Sequence, residues 1–396
     1  MKTHRIIPIL QAGVGLSAMS YGVMFTVLDD FRDRYGISET KLGLLVAAGF
    51  FTSFLSQILI APLADHGYAR RLVTLGFSFE AIGAFAMAFG TSFEILLGAR
   101  VLMGFGAGMA LPAIRRIVIL SDRENMGRNL GRVLSVEVAG FAMGPVLSAL
   151  TADTFGIATP FVIVGCSMLA AGLISCTLQI EETAQEDRAD EHLAFDLLKV
   201  PALAGAVVIG LALFIMIGTF DVVWTLVMKD LGSSTWMANL GITLFALPLI
   251  VLGPIGGKLT HRIGPFVAAS TGLLLGSVCM LLYGNLPIAW MLLSVGIMHG
   301  IIDGLTVTGT GMAVGLVAPP ARLASAQGLL GGLQTLAGGI AASVAGFTYE
   351  TFGRRTTYAV TAFVMVALVA AGYLLARKSF RIKDTDDMNE EFHGAV

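Results

Sequence analysis

The chain has 396 residues, of which 56% are hydrophobic and only 13% are charged. A soluble domain carries about 25% charged residues, so this chain lacks the charge to cover a surface in contact with water. Its formal net charge of −2 argues against a nucleic-acid partner, which requires a clustered basic face. The three cysteines lie in apolar runs without ligand-type spacing, so we expect neither a disulfide framework nor a metal site.

Apolar runs long enough to span a bilayer follow one another along the chain. A spanning helix needs about 20 apolar residues to cross a hydrocarbon core of about 30 Å. The first run is too long for the apolar part of a signal peptide and lacks a cleavage site, so it is predicted to be a span. The sequence therefore predicts an all-α membrane protein with twelve transmembrane helices. The predicted spans are 6–28, 41–63, 72–90, 94–120, 131–152, 158–178, 200–228, 235–257, 265–283, 287–316, 324–348 and 355–376.

The longest hydrophilic interruption lies near the middle of the chain, after the sixth predicted span. It runs from Gln179 to Lys199 and is rich in acidic residues. A linker between two equal halves would sit at this position. We therefore predict an N-terminal six-helix half at 1–178, a cytoplasmic linker at 179–199, a C-terminal six-helix half at 200–378 and a cytoplasmic tail at 379–396.

Lysine and arginine residues are distributed unevenly between the two ends of the predicted spans. Cytoplasmic loops of membrane proteins are enriched in these residues. With both termini inside, 18 of the 25 lysines and arginines fall on the cytoplasmic side, six fall outside, and Arg100 lies within a span. This asymmetry predicts cytoplasmic termini in the plasma (inner) membrane.

Two segments of the first half recur in the second half at nearly one offset. The sequence at 151–156 (TADTFG) resembles that at 348–353 (TYETFG), and the same offset of 197 aligns Gly131 with Gly328 and Glu137 with Gln334. A second match joins 63–66 (LADH) to 259–262 (LTHR), with an offset of 196. Because the matches occur at equivalent topological points, they predict a parallel duplication into two pseudo-repeat halves.

The loop after span two resembles a signature of the major facilitator superfamily. That signature reads roughly Gly-x-Leu-x-Asp-Arg-x-Gly-Arg-Arg, and this chain keeps its leucine together with Asp65, Arg70 and Arg71. The second copy keeps Arg262 but has His261 in place of the aspartate. The resemblance implies a role for these loops in conformational switching, in which an aspartate pairs with an arginine or a helix N-terminus in one state only. The alternative is a plain orientation signal.

Span four carries an Arg-x-x-x-Gly-x-Gly pattern, formed here by Arg100, Gly104 and Gly106. The pattern is similar to one in the same family, where the arginine is associated with proton coupling. An arginine inside a span is costly unless it faces protein or a water-filled cavity. The alternative is that Arg100 snorkels to the outer interface near Glu94.

Span five contains Gly140, Gly144 and Pro145, which partly match the motif of the drug/proton antiporter branch of the family. The Gly-Gly that usually follows is replaced by Ser148 and Ala149. The alternative interpretation is a closely packed, proline-kinked helix, which this pattern produces whatever the direction of transport.

Several further ionisable residues fall inside predicted spans, and each is a candidate for function because the bilayer disfavours charge. His299 and Asp303 are four residues apart and therefore share one helix face. In the family, spans one, four, seven and ten line a central cavity, which implies that Asp221 in span seven converges with this pair. A carboxyl group near a histidine can exchange protons at physiological pH, which coupling needs. The alternative is a fixed His–Asp hydrogen bond that holds span ten in register.

Two adjacent arginines, Arg115 and Arg116, follow a proline near the end of span four. Neighbouring residues on a helix point about 100° apart, so the two cannot face lipid together. One is expected to snorkel to the interface, while the other either contacts an anionic group in the cavity or pairs with Glu137. Other polar and aromatic cavity candidates are Gln11, Tyr21, Trp224 and Gln334.

No catalytic, nucleotide-binding or metalloprotease motif is present in the sequence, so an enzyme is not expected. The resemblance implies a secondary transporter, and we expect proton-coupled export of small organic or amphipathic molecules by alternating access. The alternative is a proton-coupled importer of an organic anion that uses the Arg115/Arg116 pair. The expected partners are the lipid bilayer, a small-molecule substrate and protons, with no cofactor and a monomeric state.

Overall fold

The structure is a computed structural model that describes residues 6–27, 31, 35–180 and 194–381. All regular secondary structure in these residues is helical, as predicted. Parts of the predicted linker (181–193) and tail (382–396) lie outside the described residues, and so do six of the basic residues used for orientation. Those six are Lys2, Arg5, Arg32, Arg34, Arg188 and Lys383.

The first half of the chain forms six long apolar helices. Helices are favoured because a chain in hydrocarbon has to satisfy its backbone polar groups internally. Short signals mark their ends: the Ser92 side chain, for example, accepts a hydrogen bond from the Ile95 backbone N–H at 3.4 Å and caps α4. The helices are α1 (Ile6–Thr26), α2 (Glu39–Leu59), α3 (Ala69–Phe89), α4 (Phe93–Ser121), α5 (Met126–Phe155) and α6 (Thr159–Cys176).

The second half forms α7 (Pro201–Asp230), α8 (Thr235–Ile263), α9 (Pro265–Asn285), α10 (Ala289–Thr306), α11 (Thr308–Val317) and α12 (Leu323–Ala376). The predicted span at 287–316 corresponds to α10 and α11, which are separated at Val307. Two predicted spans lie in α12, which is interrupted by the non-helical backbone of Gly353 (φ 77°, ψ 176°). Eleven helical stretches of the described chain are long and apolar enough to cross a membrane, and the stretch at Pro320–Ala376 has 57 residues, enough for two spans. The twelve-span architecture is therefore confirmed.

The backbone of the described residues carries a clear trace of the predicted duplication. Six glycines adopt a positive φ, a conformation that other residues rarely adopt. They form three pairs at offsets of 196 or 197: Gly36 with Gly232, Gly67 with Gly264, and Gly156 with Gly353. The two halves therefore turn at equivalent points, which agrees with the sequence matches.

By packing, the chain divides into two compact units that exchange short segments between the sequence halves. The first unit comprises Met1–Arg123, Val136–Ala194 and Pro319–Gly332, as far as these residues are described. The second comprises Glu124–Ser135, Phe195–Ala318 and Leu333–Val396. Each unit thus contains the start of one long helix from the other sequence half. The boundaries given above for the sequence halves stay a prediction.

In each unit, the helix start that comes from the other sequence half packs against a neighbouring helix at a glycine, which lies next to a backbone carbonyl group of that helix. In the first unit, a Cβ on Gly328 would overlap the carbonyl oxygen of Gln57. In the second unit, a Cβ on Gly131 would overlap the carbonyl oxygen of Gly253, and Gly127 and Gly257 meet in the same way. Since Gly131 and Gly328 are related by the repeat, and so are positions 57 and 253, the same helix crossing is used twice.

The Gly140–Gly144–Pro145 motif of α5 is a helix-packing element in the structure. A Cβ on Gly140 would overlap the carbonyl oxygen of Gly15, and Gly144 lies against the backbone of Gly22. These contacts join α5 to α1 within the first unit. Small residues permit this close approach, which is a main source of helix association in lipid.

The glycine crossing of the second unit can be tested by adding one methyl group. Gly257→Ala places a Cβ against the backbone of Gly127, and such overpacking costs about 1–3 kcal/mol. Gly98→Ala is the matched control, because a Cβ at that position meets nothing within 4 Å. Thermal unfolding in detergent, followed by tryptophan fluorescence, is expected to show a lower Tm for Gly257→Ala only. Equal Tm values for the two variants would contradict the packing described here.

Candidate functional site

Asp65 is a fully buried carboxylate at the centre of a four-bond network in the first unit. It accepts hydrogen bonds from the backbone N–H groups of Ala324 (2.9 Å) and Ser325 (2.7 Å) and from the Ser325 hydroxyl (2.8 Å). The Nε atom of Arg116 donates a fourth at 3.0 Å. The carboxylate therefore caps the positive end of α12 and at the same time pairs with an arginine of α4.

The local chain around Asp65 explains how it reaches that position. Residues Ala61–His66 form a 3-10 turn that ends at Gly67, whose φ of 85° reverses the chain before α3. The two arginines of the motif lie outside the network and are exposed. Arg70 donates to the carbonyl oxygen of Leu178 at 3.5 Å, and Arg71 stacks on the ring of Tyr68 at 5.4 Å. Asp65 thus contacts both kinds of partner expected from the sequence, an arginine (Arg116) and a helix N-terminus (that of α12).

The equivalent loop of the second half is built differently. His261, which occupies the aspartate position, is only partly buried, and Arg262 is exposed. The helix start that packs against α8 carries Gly127 where the other copy carries Ala324, so the contact consists of backbone on backbone. The charged network of Asp65, Arg116, Ala324 and Ser325, called the latch below, thus occurs once in the described chain. The second copy is an apolar glycine contact.

Arg115 pairs with Glu137 through a longer and more exposed contact. Their side chains are 21% and 32% exposed, and Nη2 of Arg115 lies 3.7 Å from Oε2 of Glu137. The two adjacent arginines of α4 therefore have separate carboxylate partners. Arg116 belongs to the Asp65 network, whereas Arg115 keeps part of its charge accessible.

Arg100 is fully buried in the first unit, which excludes the snorkelling alternative in this structure. Its Nε atom donates to the carbonyl oxygen of Leu45 at 3.4 Å, and its guanidinium carbon lies 4.7 Å from the ring centre of Tyr21. An arginine over a tyrosine face gains a cation–π interaction that strengthens when water is absent.

Glu80 of α3 lies in the same region and is also fully buried. Its Oε2 atom accepts a hydrogen bond from the Ser17 hydroxyl of α1 at 2.7 Å. Glu80 lies within the predicted span 72–90, and no motif in the sequence singles it out. The available signal was that it is the single acidic residue in the predicted span 72–90.

His299 joins three helices of the second unit. Its Nδ1 atom lies 3.2 Å from the hydroxyl of Tyr283 on α9, and its Nε2 atom lies 3.1 Å from the sulfur of Met216 on α7. The same Nε2 atom is 3.7 Å from Oδ2 of Asp303, one turn away on α10. A tyrosine, a histidine and an aspartate thus form one buried cluster, in which Tyr283 and His299 are within hydrogen-bond distance and the Asp303 carboxyl group lies 3.7 Å from the imidazole, beyond the length of a direct hydrogen bond.

The carboxyl group of Asp303 borders a small pocket that has no room for a water molecule and is otherwise lined by Leu213, Ala269, Leu273, Thr306, Val307 and Thr310. Asp221, by contrast, is exposed on α7. His299 and Asp303 are buried inside the second unit, and the convergence of Asp221 with this pair in one cavity stays a prediction.

The remaining cavity candidates have structural contacts in this conformation. Trp224 is buried, donates its indole N–H to the Ala238 carbonyl oxygen at 2.9 Å, and stacks on Phe220 with ring centres 5.0 Å apart. Gln334 is buried and donates to the carbonyl oxygen of Gly210 at 3.0 Å. Gln11 is buried on α1, and Tyr21 is half-buried beside Arg100.

Metal binding can also be assessed from these side chains. In the part of the chain that the structure describes, no group of three or more His, Cys, Asp or Glu residues lies close enough to hold a metal ion.

The latch at Asp65 can be tested by removing its charge. Asp65→Asn leaves one oxygen to accept from several donors and leaves Arg116 buried without its counter-charge, and breaking a buried ion pair costs about 3–5 kcal/mol. Thermal unfolding in detergent is expected to show a large loss of stability, whereas the exposed control Glu124→Gln should unfold like the wild type. A Tm for Asp65→Asn equal to that of the control would show that the network contributes nothing.

Comparisons with known proteins agree with this architecture. The family model of the Major Facilitator Superfamily matches residues 12–220 and 206–392. The quinolone resistance protein NorA of Staphylococcus aureus is 27% identical over 175 residues, which make up 43% of this chain. The match spans 44% of NorA, so it covers less than half of that relative.

Two solved structures have the same fold. The human organic anion transporter MFSD10 (TETRAN) superposes with a TM-score of 0.74 at 17% identity, covering 94% of this chain and 100% of that one. The E. coli fucose:proton symporter FucP gives a TM-score of 0.76 at 15% identity, covering 96% of this chain and 99% of that one. At these identities the likeness concerns the fold alone.

The two matches of the family model extend from residue 12 to residue 392, and the helical architecture and the repeat agree with them. The chain therefore belongs to the major facilitator superfamily, and it is a membrane transporter rather than an enzyme.

Proposed function

We propose that this transporter couples the movement of protons to the export of small organic or amphipathic molecules. The observation that carries the proposal is the buried cluster of three titratable side chains formed by Tyr283, His299 and Asp303. A buried carboxyl group has a large desolvation penalty in its ionised form, so its charge state responds to any change in its surroundings. This property is what coupling between a proton and a moving substrate requires.

Export rather than import is supported by one sequence relationship and by the antiporter-type motif of α5. The relative NorA is named for quinolone resistance. The 18 methionines of this chain add soft, adaptable apolar surface, which suits amphipathic molecules of varied shape. We therefore assign amphipathic organic compounds as the substrate class.

In the proposed cycle, protonation of Asp221 or Asp303 alternates with occupancy by substrate. Asp221 is exposed and is accessible in the conformation described, whereas Asp303 is buried beside His299 and requires a conformational change to exchange its proton. Transporters of this type open alternately to the two sides by movement of one half against the other. The proposal includes a monomer in the inner membrane with both termini in the cytoplasm, as expected from the basic residues.

Proton coupling can be measured in proteoliposomes that contain an internal pH dye. Addition of a lipophilic cation, a neutral drug or an organic anion is expected to change the internal pH for the transported class only, with a sign that reports antiport. Asp303→Asn or Asp221→Asn should abolish this change, while Glu94→Gln, at a fully exposed helix start, should leave it intact. Substrate movement without a pH response, unchanged in both variants, would contradict coupling through these carboxylates.

The alternative function is proton-coupled import of an organic anion, and Arg115 is the residue that favours it. The solved neighbour MFSD10 is named as an organic anion transporter, and Arg115 is partly exposed. An anion would nevertheless have to displace Glu137 from this arginine. The Arg115–Glu137 pair therefore favours neutral or cationic substrates over anions.

The pair offers a direct test between the two functions. Glu137→Gln frees the charge of Arg115, so an organic anion that uses this site is expected to bind about tenfold more tightly, equivalent to about 1.4 kcal/mol. Arg115→Gln should abolish anion binding if the alternative holds. If neither variant changes the affinity for anions, measured by tryptophan quenching, the importer alternative fails and the exporter proposal stands.

A further inference from the structure

The carboxyl group of Glu80 is buried, and only one of its two oxygen atoms accepts a hydrogen bond from the described residues. Its Oε2 atom accepts the hydrogen bond of the Ser17 hydroxyl at 2.7 Å, while its Oε1 atom has no hydrogen-bond partner among the described residues. The side chain is 0% exposed and sits beside Gly106 of α4, where an added Cβ would come within 3.1 Å of its Cγ. An ionised carboxylate in such a place requires a compensating charge within the protein.

Arg100 provides that charge, and its guanidinium group is also incompletely bonded. Nε has a single long hydrogen bond to the Leu45 carbonyl oxygen, while Nη1 and Nη2 have no hydrogen-bond partner in the part of the chain that the structure describes. The space for this group is created by Gly49, because a Cβ there would overlap Nη2. A buried acceptor oxygen and two buried donor nitrogens thus remain unsatisfied in one cluster, in which the two charges act on each other.

We propose that Glu80 is a proton-binding site of the first unit, with Arg100 as its fixed counter-charge and Ser17 as its proton relay. The site is separate from Asp221 and Asp303, which lie in the other unit. That Glu80 binds a proton stands independently, whereas its part in the transport cycle rests on the proton coupling proposed above.

The two charge states of Glu80 differ in what they do to Arg100. When Glu80 is ionised, α3 and α4 carry opposite buried charges, and the two side chains attract each other. When Glu80 is protonated, Arg100 keeps only the Leu45 carbonyl and the Tyr21 ring. Proton binding therefore loosens the link between α3 and α4, and proton release restores it.

Ser17 supplies a path for the proton. It lies on the stretch 15–19 of α1, which is half-buried, so its hydroxyl joins the enclosed carboxylate to a more accessible face. During uptake, the Ser17 hydroxyl gives its proton to Oε2 of Glu80 and receives one from a hydronium ion, which leaves as water, so the serine ends unchanged and the carboxylate becomes a carboxyl group. The other polar or titratable groups that act on Glu80 or its neighbours are Arg100, Tyr21 and the Ser20 hydroxyl.

The first test records the infrared carbonyl band of protonated carboxyl groups as the pH of the detergent-solubilised protein is changed. One band component is expected to disappear in Glu80→Gln and to persist in Asp303→Asn. Ser17→Ala is expected to shift the pH midpoint of this component, because it removes the hydrogen bond to Oε2. Ser78→Ala is the control, since its hydroxyl lies on α3 together with Glu80 but donates to the Thr74 carbonyl oxygen at 2.8 Å.

A spectrum of Glu80→Gln identical to that of the wild type at every pH would overturn the proposal. If Glu80→Gln does not fold, the proposal is tested with Ser17→Ala and Glu80→Asp, because both variants keep a carboxyl group at position 80 and are expected to shift the pH midpoint of the band component. A midpoint that neither variant shifts would equally overturn it.

The second test separates this site from the coupling mechanism as a whole. Glu80→Gln is expected to keep the exchange of labelled substrate across the proteoliposome membrane. Its rate of transport driven by a pH gradient is expected to fall by about tenfold or more, because removal of a proton-transfer group lowers rates at least this much. A wild-type protein with no gradient-driven transport would contradict the proposed function while leaving the infrared assignment intact. A Glu80→Gln variant with full gradient-driven transport would contradict the role of Glu80 in the cycle.

Discussion

The constraint on which this structure depends is that a charge removed from water has to find its compensation inside the protein. The desolvation penalty of a buried ion amounts to several kcal/mol after relaxation, more than one hydrogen bond returns. The embedded charges accordingly occur in sets: Asp65 with Arg116 and a helix terminus, and Glu80 with Arg100. Each set connects different helices, so a change in charge is also a change in helix packing.

The duplicated architecture explains where these sets lie and where the two copies depart from each other. Both copies turn at glycines of positive φ and pack an exchanged helix start against a backbone carbonyl. Only the first copy places a carboxylate, Asp65, at this crossing, because the second has His261 there and meets the opposing helix through Gly127 and Gly257. One crossing therefore depends on charge and the other on steric fit. Changes in local electrostatics act on the first more than on the second.

The sequence predicted the architecture well because a bilayer leaves few options. Long apolar runs have to be helices, their number follows from their length, and the offset of 197 between the TADTFG and TYETFG segments indicated the repeat. The break between α10 and α11 at Val307 and the non-helical backbone at Gly353 depend on backbone geometry that hydropathy does not encode.

The embedded site was only partly predictable. Helical spacing brought His299 and Asp303 together, and the possible partners of Asp65 followed from electrostatics. The separate partners of Arg115 and Arg116 depend on contacts between distant helices, such as the 3.0 Å bond to Asp65 and the 3.7 Å contact with Glu137. The pairing of Glu80 with Ser17, 63 residues apart, was inaccessible for the same reason.

Coupling between the proton gradient and the substrate is the central claim, and it is tested most directly by the substrate gradient that the purified transporter sustains. Proteoliposomes are held at zero membrane potential with a fixed pH difference, and the internal and external substrate concentrations are measured once they are constant. The account predicts accumulation against the substrate gradient, reversed in direction when the pH difference is inverted. Equal concentrations on both sides at every pH difference would contradict it.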